Sequence, residues 1–173
     1  KTKEYITQCM TLINESELND SIHIVLAKNR DQMVGLIGSN MAGLAHTADK
    51  SSETENRLVS VFNDTYHPLK HELMHIISGV KWGRFGGGLS WLSEGLAVFS
   101  DPEAEAGYIV EFLYKKYGVV KLRSLWTNGL CKFEEIYGLS LGEMISDINT
   151  LLNKKYPNPI DITWEIFNKQ CIE

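Results

Sequence analysis

The chain has 173 residues, of which 43% are apolar and 23% charged, and a net charge of −5. This length suits one folded domain with a real core, and the composition is ordinary for a globular protein. No basic stripe for a nucleic acid is present, and no apolar run approaches the length of a membrane span.

Residues 3–18 carry Tyr5, Ile6, Cys9, Met10, Leu12 and Ile13 at helical spacing. They predict an amphipathic helix, broken at Asn19-Asp20-Ser21. Residues 22–27 read as a strand, with His23 on its face rather than on a metal. Residues 29–32 read as a turn and 33–38 as a short strand or loop. A second strand is expected over 41–47, followed by a polar loop over 49–56. A third covers 57–62 and is rich in residues that suit a pleat. Asn63, Asp64 and Thr65 offer caps for a helix, and Pro68 fits an early helical position.

That helix is expected over 69–78, stopping at Gly79. Leu69, Leu73, Ile76 and Ile77 give it a core-facing stripe. A glycine-rich loop over 81–90 follows, then a helix opened by Ser90 or Trp91 and ended by Asp101-Pro102. Further helices are expected at 103–117, 119–128, 131–137 and 140–153, with a last short one near 161–170. Lys115, Lys116, Lys121 and Arg123 form a solvated helix face. The whole order reads as α+β. Cys9, Cys131 and Cys171 are odd in number and far apart, so they are expected as core or surface thiols. The chain begins at Lys1 rather than Met, which gives the expectation of an exported or cell-envelope protein after signal-peptide removal.

The chemistry concentrates in two stretches. The first is His71-Glu72-Leu73-Met74-His75, an H-E-x-x-H. On a helix, residues four apart share a face, so two imidazoles can grip one ion. Glu72 is turned about a quarter turn from His71. It can flank the ion without ligating it, where a general base for an activated water belongs. Two neutral imidazoles suit Zn²⁺. A catalytic zinc takes a third protein ligand and leaves its fourth position open. The best candidate is Glu94 in the second stretch, Trp91-Leu92-Ser93-Glu94-Gly95, with 18 residues between it and His75. Gly79, Gly83 and Gly86-Gly87-Gly88 lie between and let the chain turn back. The rival reading is an amphipathic helix with two incidental histidines, which average composition allows in roughly one chain in a hundred or fewer.

H-E-x-x-H, 18 residues, then a helix opening W-L-S-E-G-L-A resembles the gluzincin metallopeptidases, especially small peptidase MA-like members. Other branches fit less well. Metzincins need a third His where Lys81 stands, and peptide deformylases need an upstream Cys ligand in a short turn. The resemblance covers roughly residues 20–145. It implies a single zincin-like metallopeptidase domain over 1–173. That domain would have a small mixed sheet, an active-site helix, a glutamate-bearing helix and a helical C-terminal half. It implies Zn²⁺ on His71, His75 and Glu94, with Glu72 as catalytic base. The substrate is then a peptide or protein, paired along a sheet edge that falls on the 41–47 strand.

Two departures accompany it. Related enzymes place a Tyr or His between the two motifs as an oxyanion donor, and none lies between His75 and Glu94. Tyr108, Tyr114, Tyr117, Tyr137 and Arg84 are the remaining choices, with His46 on the substrate side. Some relatives carry an Asp four residues after the ligand Glu, where this chain has Val98. Asp64 or Asp101 would have to serve instead. The missing donor supports a second reading, a catalytically inactive, zinc-stabilised binding or regulatory domain.

Overall fold

A computed structural model describes residues 1–48, 55–61, 68–83, 90–100, 107–159 and 161–163. The fold is α+β and mostly helical, with seven α-helices and one three-stranded mixed sheet among the described residues. The chain forms two compact units, Lys1–Gly83 with Ser100–Ala104, and Arg84–Phe99 with Glu105–Glu173. No helix among the described residues is long and apolar enough to cross a membrane.

The first unit opens with α1 (Thr2–Leu12). It stops well short of residue 18 because Asn14 adopts a left-handed φ of 57°. The amide of Asn14 then donates to Thr11 O and that of Glu15 to Met10 O, at 3.1 and 2.9 Å. This pair of reversed bonds caps the last carbonyls of a helix. Cys9 is buried on α1, and burial pushes its thiol up to about 12.

The strand β1 (Ile22–Ala27) falls where expected. Exposed His23 lies 3.2 Å from the carboxylate of Glu55. The next segment corrects the sequence reading. Residues 30–37 are neither turn nor strand but the helix α2 (Arg30–Ile37). Asn29 caps it, its Oδ1 accepting from the Gln32 amide at 2.9 Å. The Gln32 side chain reaches back to the Lys28 amide at 2.7 Å, a close variant of the capping box. Short β2 (Gly43–His46) and β3 (Asn56–Val61) complete the sheet. Its order is β1-β3-β2. β3 is central, parallel to β1 and antiparallel to β2. The 41–47 segment therefore supplies an edge strand.

The two faces of the sheet have different partners. Val59, Val61 and Ala27 pack with Met33 of α2. The opposite face receives α3 (Leu69–Trp82), which also packs on α1. α3 does not stop at Gly79. That glycine lies inside the helix because Thr47 occupies the space a side chain would need, with Thr47 Oγ1 2.6 Å from an ideal Cβ. The helix ends instead at Gly83, whose φ of 79° excludes most other residues. The expected caps at residues 63–65 lie outside the described residues. Pro68 stands at the N-cap, and its carbonyl accepts the Glu72 amide at 2.9 Å.

The second unit carries α4 (Ser90–Ser100) and α5 (Tyr108–Asn128). Gly118 interrupts α5 with φ 81° and ψ 167°, a region open essentially to glycine alone. The chain thus makes the two expected helical stretches with a kink between them. A 3-10 turn over Leu130–Lys132 leads into α6 (Phe133–Tyr137) and α7 (Leu141–Lys155). The Asn149 side-chain amide holds both backbone groups of Ile162 at 2.8 Å. The last expected helix falls largely outside the described residues.

Candidate metal centre

α3 supplies two imidazoles. Leu69, Leu73, Ile76 and Ile77 are buried, each at 2% exposure or less, and fix the helix's rotation about its axis. His71 and His75 are then left half-buried on another face. Their Nε2 atoms are 3.1 Å apart, with the rings edge to face at a centroid distance of 4.7 Å. Around a tetrahedral ion with metal–nitrogen bonds of about 2.0–2.1 Å, two ligand nitrogens stand roughly 3.3 Å apart. The observed separation fits. Both rings can face one cation only with Nε2 deprotonated, which places each ring's proton on Nδ1. The buried Ser78 hydroxyl donates to Met74 O at 2.7 Å, satisfying itself within α3.

Glu94 stands exposed on α4. Trp91, Leu92, Leu96 and Ala97 are buried around it in sequence. Gly95 lets Val110 of α5 close in, its Cγ2 lying 2.5 Å from an ideal Cβ. The glycine of the W-L-S-E-G stretch is thus a packing residue. His71, His75 and Glu94 each offer one ligand atom, and these atoms lie within 4.8 Å of one another. The group can hold a metal ion. It is the one such set of His, Cys, Asp and Glu among the described residues.

Glu72 is not in that set. It is 8% exposed, an uncommon degree of burial for a carboxylate. Its side chain lies against Gly43 of β2, with its Oε1 in the space an ideal Cβ there would need. The sequence marked Gly43 as part of an edge strand but not as a neighbour of Glu72. A glycine inside a strand signals close approach, though not by which residue.

The other candidates go elsewhere. His46 is exposed on β2 and pairs with Arg57, on the same pleat face as Leu44 and Val59. Val59 packs toward α2, so His46 points away from the face that α3 covers. Tyr108 packs on Tyr156 and Tyr114 on Phe99, both at 5.3 Å between centroids. Tyr117 packs on Tyr137 at 5.0 Å and Tyr137 on Phe133 at 4.7 Å. Burial raises the Tyr137 phenol well above its ordinary range. Arg84, Asp64 and Asp101 lie outside the described residues.

Searched against known proteins, the chain matches no family model, no curated protein and no solved structure.

Proposed function

We propose that this chain is a zinc-dependent metallopeptidase of the gluzincin type, with His71, His75 and Glu94 as zinc ligands and Glu72 as general base. The observation that carries the reading is the His-His-Glu group, its ligand atoms within 4.8 Å of one another, with a buried carboxylate one residue from the first ligand. Two imidazoles and one carboxylate form a donor set used by catalytic zinc in peptidases. A zinc ion there supplies Lewis acidity, acidifying a water and polarising the scissile carbonyl. Glu72 contributes the proton traffic: its carboxylate accepts a proton from the water and returns it to the leaving amine. Peptide is the substrate class favoured by β2. Its outer edge has no strand partner among the described residues, and an extended chain can add to such an edge through main-chain bonds.

One observation favours a second reading, a zinc-stabilised binding domain that does not hydrolyse. All four tyrosines considered as oxyanion donors are engaged in ring packing. One set of variants separates the readings. His71→Ala and His75→Ala are expected to abolish zinc retention, read by mass spectrometry of the dialysed protein. Glu72→Gln is expected to keep zinc and lower hydrolysis of a peptide library by at least about 10². Full zinc stoichiometry in the His variants removes the ligand assignment, and equal metal loss in Glu72→Gln makes Glu72 a ligand. A parent chain that holds zinc but leaves the library intact selects the binding domain.

A further inference from the structure

The absence of a side chain at residue 43 has no backbone cause. Gly43 is buried in a strand and is not among the glycines with positive φ. A glycine inside a strand weakens it by entropy and lost packing, so some neighbour must require the space. The three nearest heavy atoms to an ideal Cβ are Oε1, Cγ and Cδ of Glu72, the last two at 2.6 and 2.7 Å. All belong to that one side chain. A Cβ at 43 and the Glu72 carboxyl in its present place exclude each other.

We infer that Gly43 is a positioning residue for Glu72: the bare backbone of the edge strand is the wall against which the carboxyl is set. The wall is held from two sides. Gly43 pairs with Ser60 of β3, and Ala42 O accepts the Val61 amide at 2.8 Å. At the other end of the strand, Thr47 sits in the space left by Gly79 of α3. With the strand fixed at both ends, an added methyl group at 43 displaces the flexible Glu72 side chain rather than the backbone. Zinc ligation does not involve Glu72 and is left intact. The catalytic consequence rests on the metallopeptidase reading; the steric coupling does not.

The test is a double-variant cycle on the full chain, melted metal-free: parent, Gly43→Ala, Glu72→Ala and both together. Alanine suits a strand better than glycine. Gly43→Ala is therefore expected to raise Tm in the Glu72→Ala background and to lower it in the parent. The same Tm change in both backgrounds overturns the inference. If Gly43→Ala alone does not fold, the double variant decides. A double variant as stable as Glu72→Ala supports the inference, and one that also fails to fold overturns it. With zinc bound, Gly43→Ala is expected to keep KM within about twofold and to lose kcat by about 10². Parent-like kcat in that variant overturns the positioning role. A parent that cleaves no peptide removes the metallopeptidase reading, and the thermal cycle still decides whether Gly43 sets Glu72.

Discussion

α3 and α7 are helices of 14 and 15 residues built by opposite means. α7 is specified locally. Ser140 Oγ accepts the Glu143 amide at 3.2 Å, and Glu143 Oε2 accepts the Ser140 amide at 2.7 Å. Acid opens the helix, Lys154 and Lys155 close it, and Met144, Ile148 and Leu152 form one buried stripe. α3 has no side-chain cap and eight buried residues that include Glu72 and Ser78. Tertiary burial holds it in place of local signals. A helix held by its neighbours can carry histidines and a buried carboxylate without unravelling. A helix held by its own caps has no such surplus.

Core truncation gives the largest contrast. Leu73→Ala, at a position 0% exposed in α3, is expected to cost toward the upper end of about 2–5 kcal/mol. Leu152→Ala, 6% exposed in the last turns of α7, should fall near the lower end of that range. The difference is read from urea midpoints at unchanged m. Equal losses would mean that α7 depends on packing as much as α3 does.

Gly79→Ala sharpens the contrast at about 1 kcal/mol. Alanine improves a helix interior by roughly 1 kcal/mol. Its methyl group, however, meets Thr47 Oγ1 at 2.6 Å, and overpacking costs about 1–3 kcal/mol. Net destabilisation is expected in the parent, turning to stabilisation in a Thr47→Ala background. Stabilisation in the parent itself would show that Thr47 does not define this crossing.

The smallest effects belong to α7. Ser140→Ala should cost about 1 kcal/mol whatever its tertiary surroundings. Bonds from the Ser140 backbone and hydroxyl lower the Glu143 carboxyl from its ordinary 4.5. A lowered carboxyl stabilises the fold above its unfolded value, and that gain disappears as pH falls through the lowered folded value. The parent's advantage over Glu143→Gln should therefore be present above pH 4.5 and fade below it in acid titrations. An advantage that grows toward low pH would contradict the capping geometry.

Elements with local signatures are legible in the sequence. β1 has its expected bounds, and α7 and the break at Gly118 fall close to theirs. α2 departs from the expected turn although its signature is present, since Asn29 followed by Gln32 is a cap pattern. The ends of α1 and α3 differ from the expected ones for two physical reasons. A left-handed Asn14 stops a helix that periodicity would continue, and a glycine inside a helix looks like a stop until Thr47 is seen against it.

The sequence by itself determined how the residues of the H-E-x-x-H stretch are disposed around their helix. Helical period alone places His71 and His75 on one face and turns Glu72 away from it. Tertiary structure decided the rest. It buried Glu72 and set its carboxyl against Gly43. It also turned His46 to the other face of the sheet and placed the tyrosines in ring packing. Spacing along a chain fixes neighbours within one helix. Approach between a strand and a helix depends on the volumes that meet there, and those volumes belong to residues far apart in sequence.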